Sequence, residues 1–431
     1  MTEKKKNVVI IGSGITGLSA AAVLKNHKVN AKIYEKSDRP GGLCKSFCMH
    51  DEWYDIGGHC SFAKDPFVRN LLEHNVEFHS SLAEAANYKK GTWVRHPVQI
   101  NLQPLDTKEK IRIIKDYIDR PHYDNIENYD QWLRMQYGNY FAENYPFYYT
   151  EKYWTVEPKM LETKWVGVRM YTPSIEEVLY GAFETDTPNV HYSNGIRYPL
   201  EGGFEQFLKE METVADIEYN KELKQIVTNK KQLIFTDGSS CEYEHIIATA
   251  PLPEVVKAIS EAPESVRKAA ENLNHTSLVL VSLCIKGTTK IPVSAFYVYD
   301  KEFLPSRVYS TNAYSGKHDN YTALQAEVYF SKFKPMDMTL EEIEKKVIEQ
   351  LIEMGVVDKE QVVESDVRYE KYANIIFTHD IYDNRDIVHE YLDKKDICYA
   401  GRFGEWDYLW SDQSILSGKR VAEEILKKHN K

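Results

Sequence analysis

Asn7-Val8-Val9-Ile10-Ile11-Gly12-Ser13-Gly14-Ile15-Thr16-Gly17-Leu18 opens the stretch that decides the fold, and Ala31-Lys32-Ile33-Tyr34-Glu35 completes it. Residues 7–11 read as a buried parallel strand, 12–17 as a tight turn, 18–25 as a helix and 31–35 as the next strand. Each glycine has a steric reason. Gly12 permits the turn, Gly14 lets backbone reach a pyrophosphate, and Gly17 lets helix and strand pack closely. The helix N-terminus then faces phosphate charge, while Glu35 can accept hydrogen bonds from a ribose. Strand before, helix after and acid at the end of the second strand make this a dinucleotide-binding βαβ unit.

A chain of 431 residues exceeds one ordinary core, so two or more intimately connected domains are expected. Residues 217–251 read as a hairpin around Thr236-Asp237-Gly238 followed by a strand at 245–250. A further short strand at 397–401 and an amphipathic closing helix at 414–427 return to the same unit. The expected class is α/β. A discontinuous Rossmann-like domain covers 1–89, 196–261 and 393–431, a mainly helical substrate or cap domain covers 90–195, and a β-rich substrate domain covers 262–392.

A net charge of -11 excludes a nucleic-acid partner, since duplex binding needs surplus Lys and Arg. Any anionic ligand must therefore meet local arginines. Cys44, Cys48, Cys60, Cys241, Cys284 and Cys398 show neither zinc spacing nor a disulfide framework, so no metal and a reducing cytoplasm are expected. Lys4-Lys5-Lys6 and the small-residue run to Leu24 imitate a secretion signal, but that run carries the glycine fingerprint. No stretch reaches the ~18 uninterrupted apolar residues of a membrane span, so no membrane partner is expected. The sequence carries no signal for oligomeric state.

Arg39-Pro40-Gly41-Gly42 follows the ribose acid, where small residues let a loop run along a cofactor, and Asp55-Ile56-Gly57-Gly58-His59 repeats the glycine pair beside a histidine. In this order the chain resembles the flavin amine oxidase and protoporphyrinogen oxidase superfamily. The resemblance implies a GR2-type fold and FAD, with a C-terminal FAD segment at Ala400-Gly401-Arg402-Phe403-Gly404 and a helix beginning near Ser414. It implies that Arg39, Gly41, Gly42, Gly57, Gly58, His59, Gly401, Arg402, Asp412 and Gln413 join Gly12, Gly14, Gly17 and Glu35 around the cofactor. The helix N-terminus would favour a reduced, anionic flavin.

The substrate side resembles the UDP-galactopyranose mutase family. Trp93-Val94-Arg95-His96-Pro97-Val98-Gln99 is similar to its uracil-contacting stretch, Trp154 follows an aromatic cluster, and Trp165-Val166-Gly167-Val168-Arg169 is similar to its mobile-loop arginine segment. Arg307-Val308-Tyr309 resembles the second diphosphate arginine, with Tyr297 and Tyr299 upstream, and Tyr372 falls at a phosphate-binding tyrosine. Arg402-Phe403-Gly404-Glu405-Trp406-Asp407-Tyr408 matches most closely. His96, Val98 and Thr150 depart from the pattern, which bears on the nucleotide grip and the sugar accepted.

This resemblance implies interconversion of pyranose and furanose forms of a UDP-sugar through a covalent adduct at N5 of reduced FAD, which splits one hard rearrangement into easier steps. NAD(P)H is a candidate external reductant, and galactofuranose-containing glycans or cell walls are the implied destination. Arg169 and Arg307 would stabilise the departing diphosphate, helped by Tyr408 and Tyr372. Gln99, His96, Trp154, Tyr297 and Tyr299 would hold the substrate, while His59 and Arg402 would serve the flavin. Read alone, Arg169 and Arg307 could be surface ion-pair partners, Tyr297 and Tyr299 one core face of a strand, and His59 a satisfied core histidine. The alternative activity is an amine oxidase or protoporphyrinogen oxidase-like oxidoreductase, which would want an apolar or aromatic cage. A scaffold like the GDP dissociation inhibitors is opposed by the intact glycines and Glu35.

Overall fold

The expected βαβ unit forms as strand β1 (Val8–Ile11), helix α1 (Ile15–Asn26) and strand β2 (Ala31–Tyr34). This computed structural model describes residues 7–167, 169–190, 195–291, 293–317 and 320–429. Lys4-Lys5-Lys6 and Val168, quoted above, lie outside the described residues. β1 and β2 are central in a parallel sheet of order Ile397–Tyr399, His245–Ala248, β1, β2, Asp216–Glu218. Its strands come from three separated parts of the chain, because a parallel neighbour needs a crossover rather than a tight turn.

The three fingerprint glycines meet three different surroundings. A Cβ on Gly17 would lie 2.0 Å from the Gly12 carbonyl oxygen, so α1 can rest on the turn only without one. Gly12 has φ +98, and a Cβ there would meet Thr249 Oγ1 at 2.6 Å. Nothing stands within 4 Å of a Cβ on Gly14, which faces open space. Against α1 packs the closing helix Ser411–His429, whose Gly418 likewise has no room for a Cβ, at 2.4 Å from Thr16 O.

Seven strands form the second sheet, in the order Val362–Glu370, Ser277–Lys286, Tyr321–Phe330, Arg307–Ser310, Ala295–Val298, Ala85–Lys89, Thr92–Arg95. All neighbours are antiparallel except Ala295–Val298 with Ala85–Lys89. One face carries helix Leu340–Glu353 over a core of Val279, Val281, Leu283, Val328 and Val347. Between residues 107 and 183 lie helices Thr107–Ile118, Tyr129–Tyr137, Asn139–Asn144, Pro146–Tyr153 and Ile175–Phe183. Their starts are capped as residue chemistry dictates: Asp106 accepts from Lys108 N, Asn128 from Gln131 N, and Ser174 forms a capping box with Glu177.

Three readings shift. Ile217 belongs to the parallel edge strand Asp216–Glu218 rather than to a hairpin, which instead is built from Leu223–Val227, Gln232–Phe235 and Ser240–Glu242. Alternation cannot report a parallel pairing so distant in sequence. The closing helix begins at Ser411, because Gln413 Oε1 accepts from Trp410 N at 2.9 Å and starts it a turn early. The hairpin Ala85–Lys89/Thr92–Arg95 straddles residues 89 and 90 with both strands in the seven-stranded sheet.

Gly17→Ala should lower stability by about 1–3 kcal/mol, the usual cost of overpacking a rigid contact. Gly14→Ala should leave thermal unfolding nearly unchanged in the protein freed of cofactor; differential scanning calorimetry of the two variants checks this.

Candidate active site

A cavity of about 1470 Å³ runs from the glycine turn to a cleft between the seven-stranded sheet and the helices. That exceeds the roughly 300–1,000 Å³ of a single small-ligand pocket, leaving room for a dinucleotide and a second ligand. At one end lie Gly12, Gly14, Gly41 and Gly42. Gly14 is the N-cap of α1 without a side-chain cap, so the first-turn N–H groups point at whatever fills the space. A Cβ on Gly42 would stand 3.2 Å from Gly14 Cα, so the two glycine turns press together. Gly401 touches the same region, with φ +82 and Thr16 Oγ1 at 2.4 Å from a hypothetical Cβ. This cradle of backbone donors fits a pyrophosphate.

Glu35 is buried beside it and accepts from Ser13 N at 2.8 Å, Ser13 Oγ at 2.7 Å and Ser37 N at 2.9 Å. Burial pushes its pKa up, but the Ser13 and Ser37 donors outweigh that and hold it below the ordinary value. A carboxylate kept charged here can accept from ribose hydroxyls. Arg39 lies off the cavity wall, donating to Glu205 Oε2 at 3.0 Å and Ser46 O at 2.9 Å. Two lysines, Lys36 and Lys45, do line this end, and sequence reading missed both; Lys45 is the one held against the second glycine turn. Its Cγ passes 3.0 Å from a Cβ built on Gly41, burial lowers its pKa, and among the described residues its ammonium has no hydrogen bond or ion pair. Asp412 and Gln413 sit in the first turn of the closing helix and, with Gly17, do not line the cavity.

Farther in, Gly57-Gly58-His59 forms the cavity wall. His59 Nδ1 lies 2.8 Å from Gly57 O, so that nitrogen carries the proton and donates. Burial pushes the imidazole down to about 4, leaving it uncharged at neutral pH. Behind the turn stands Glu327, a buried carboxylate. It accepts from Arg307 Nε at 2.8 Å, Arg307 Nη2 at 2.6 Å, Gly58 N at 3.0 Å and Tyr329 OH at 2.9 Å. A Cβ on Gly58 would come within 3.0 Å of Arg307 Nη2, so the glycine lets the guanidinium close on the turn. Burial opposes charge on Arg307, yet Glu327 holds its pKa well above the ordinary value. Gln325 and Glu327, two positions apart in an otherwise apolar strand, were the available sequence signal.

The Tyr408 ring lies between two cations, with the Arg169 guanidinium carbon 4.4 Å and that of Arg402 5.0 Å from its centroid. Arg169 Nη1 donates to Trp165 O and Nη2 to Tyr408 O at 2.8 Å. Tyr408 OH is 3.5 Å from Tyr153 OH. Arg402 Nε donates to Leu409 O at 3.0 Å, and its Nη1 approaches Asn374 Oδ1 at 3.5 Å. Trp154 is buried against Tyr153, Trp165 and Tyr408.

At the far wall His96 packs on Tyr297 at 4.9 Å, and Tyr149 meets both Tyr297 and Tyr299 at 5.5 and 5.9 Å. Gln99 Nε2 donates to Tyr171 O at 3.0 Å, which leaves its carbonyl oxygen for a ligand. Tyr372 lines the cavity elsewhere: its hydroxyl donates to Glu254 Oε1 at 2.8 Å and its ring packs on His275. Among the described residues no His/Cys/Asp/Glu group is placed to hold a metal, and no helix is long and apolar enough to cross a membrane.

Residues 15–426 match the model of the flavin containing amine oxidoreductases. Among curated relatives, a hydroxysqualene dehydroxylase of Sinorhizobium fredii is 42% identical over 67 residues, 15% of this chain and 16% of that protein. An L-amino-acid oxidase of Bothrops jararacussu is 28% identical over 162 residues, 35% of this chain and 32% of that protein. The chain thus spans less than a third of either relative's length. In fold, it is similar to a reduced UDP-galactopyranose mutase, with TM-score 0.92 at 21% identity over 99% of this chain and 95% of that one.

Glu327→Ala leaves the half-buried Arg307 without its counter-charge and should cost up to about 3 kcal/mol, the low end for breaking a buried pair. Glu327→Gln, which keeps shape and one acceptor, should cost less but still loosen the Gly58 turn. Chemical denaturation midpoints of the two variants check the order.

Proposed function

This chain belongs to the flavin containing amine oxidoreductase family, and on that premise we propose that it is an FAD-dependent mutase interconverting pyranose and furanose forms of a UDP-sugar. The observation that carries this reading is the pair Arg307 and Arg169 at one cavity, the first locked against Gly58 by Glu327, the second stacked on Tyr408. Arg307 is turned inward to the buried Glu327, and Arg169 stacks on the Tyr408 and Trp410 rings. The glycine cradle, Lys45 and Glu35 would hold the FAD. When bound in reduced form, FAD would supply a nucleophilic ring nitrogen for the anomeric carbon of the sugar.

The protein's own part is then electrostatic and geometric. Arg307 keeps its Nη1 edge for an anion, since Nε and Nη2 are spent on Glu327. A diphosphate leaving the sugar gains charge, and preorganised guanidinium groups in a water-poor cleft stabilise that charge most as the bond breaks. Tyr408 and Tyr153 add neutral hydroxyl donors. Gln99 and the His96, Tyr297, Tyr149 wall would hold the base, so remote contacts fix the sugar in position. His59 keeps its turn rigid without adding charge, because its imidazole is neutral. Tyr372, committed to Glu254 in this structure, reaches a phosphate only by leaving that carboxylate.

The second reading, an FAD oxidoreductase acting on an amine or ring substrate, draws support from the tyrosine-lined wall of Tyr149, Tyr297 and Tyr299. Dithionite-reduced protein incubated anaerobically with UDP-galactofuranose should yield UDP-galactopyranose, separated by ion-exchange chromatography. Arg307→Lys should retain FAD but lose about 10²–10³ in turnover, the range for removing one preorganised donor. Absence of conversion together with sustained oxygen consumption on amines would establish the second reading instead; NAD(P)H is tested as reductant by bleaching of the flavin band.

A further inference from the structure

Residues 373–377 form an apolar run broken by one amide, Asn374. Ile375, Ile376 and Phe377 are fully buried, and Asn374 is itself only 4% exposed although it lines the cavity. A polar side chain so deep needs partners at both ends of its amide. Among the described residues only one end has them. Oδ1 accepts from Tyr153 OH at 3.3 Å and lies 3.5 Å from Arg402 Nη1. Arginine cannot accept, so the atom facing Arg402 is the oxygen and the amide cannot be turned over. Nδ2 is the free end. Asn274 Oδ1 and Trp406 Nε1 also lack partners but are sealed from any opening, whereas Asn374 Nδ2 keeps open surface, and the opening beside it is the cavity.

The backbone holds this donor still. Asn374 N donates to Thr276 Oγ1 at 3.0 Å, its carbonyl oxygen accepts from Thr276 N at 2.8 Å, and Thr276 is fully buried. Close by, Arg402 and Arg169 flank the Tyr408 ring, and Tyr153 OH lies 3.5 Å from Tyr408 OH. A free N–H beside two guanidinium groups stands in a positive potential, so the ligand atom it suits is an anionic oxygen. Tyr372, two residues earlier, is already engaged. Its hydroxyl and Lys371 Nζ both meet Glu254 Oε1, at 2.8 and 2.5 Å, which joins the helix Leu252–Ala258 to the end of the strand Val362–Glu370.

Resting on the mutase reading, we propose that Asn374 rather than Tyr372 is the diphosphate ligand of this segment, its Nδ2 donating to a phosphoryl oxygen of the nucleotide. Tyr372 and Lys371 instead fasten the end of the strand to the Glu254 helix. A donor fixed by Thr276, Tyr153 and Arg402 need not reorganise as charge gathers on the phosphate. Being neutral, it also brings no charge of its own to be buried.

Calorimetric titration of the oxidised, FAD-loaded protein with UDP and with uridine tests the assignment, because uridine keeps the base and lacks the phosphates. Asn374→Ala should weaken UDP binding by about 10–100-fold, the range for losing a hydrogen bond to a charged group, and leave uridine binding unchanged. Asn374→Asp keeps an acceptor for Tyr153 and Arg402, so the local fold survives, and should weaken UDP binding further by repulsion. Tyr372→Phe should leave UDP affinity unchanged. Equal losses for UDP and uridine in Asn374→Ala, or a loss of UDP affinity in Tyr372→Phe without one in Asn374→Asp, overturn the proposal. UDP binding untouched by either Asn374 variant overturns the assignment alone. A wild-type protein that holds FAD but binds neither UDP nor uridine overturns the mutase reading along with it.

Discussion

One buried carboxylate, Glu327, sets the geometry on which the cavity depends. Its two oxygens serve the Arg307 guanidinium, the Gly58 amide and the Tyr329 hydroxyl together. These donors come from the Gly57-Gly58 turn that follows the strand Glu52–Asp55 and from the seven-stranded sheet itself, so the bond set ties that turn to the sheet at the point where a cofactor and a substrate would meet. An uncompensated buried arginine would be costly, as would an uncompensated buried glutamate. Paired, they become a fixed dipole whose free Nη1 edge faces the cavity. Fixed charge of this kind does not reorganise when a ligand's charge changes, which is why it stabilises a developing anion better than water does.

The other organising constraint is steric. Gly17, Gly418 and Gly181 each stand where a methyl group would fall within 2.4 Å of a backbone oxygen. The first two bring α1 against its strand turn and against the closing helix; the third brings the Ile175–Phe183 helix onto the Gln99 turn. Gly14 differs, for nothing of the protein fills the space it leaves. Close approach of protein to protein and close approach of protein to ligand are thus distinguishable glycine by glycine.

Much of this was legible in the chain. The βαβ unit declares itself because three local signals coincide within 28 residues: strand run, glycine spacing and terminal acid. The parallel neighbours at 245–248 and 397–399 were readable only as short strands and Asp216-Ile217-Glu218 not at all, since their pairing is a long-range fact. The resemblance put Arg39 at the cofactor because it opens the Arg39-Pro40-Gly41-Gly42 loop; Glu205, distant in sequence, claims that arginine. Glu327 belongs to no local motif, so only its place in the strand could mark it. Its alternation with Gln325 placed both on one buried face.

The electrostatics of the cavity follow from which charges are already spoken for. Arg307 is paired with Glu327, the Lys45 ammonium has no carboxylate in hydrogen-bond contact among the described residues, and His59 is neutral. Tyr372 has given its proton-bearing hydroxyl to Glu254. A protein of net charge -11 therefore keeps a locally cationic interior along the path from the glycine cradle to Tyr408. An anion entering that path exchanges water for guanidinium and ammonium donors, whereas a free amine would enter against the same charges. For an amine substrate the tyrosine wall would have to supply more attraction than these cations oppose, at roughly 0.5–2 kcal/mol per cation–π contact. The charge layout thus suits an anionic ligand better than a cationic one, for reasons independent of overall fold likeness.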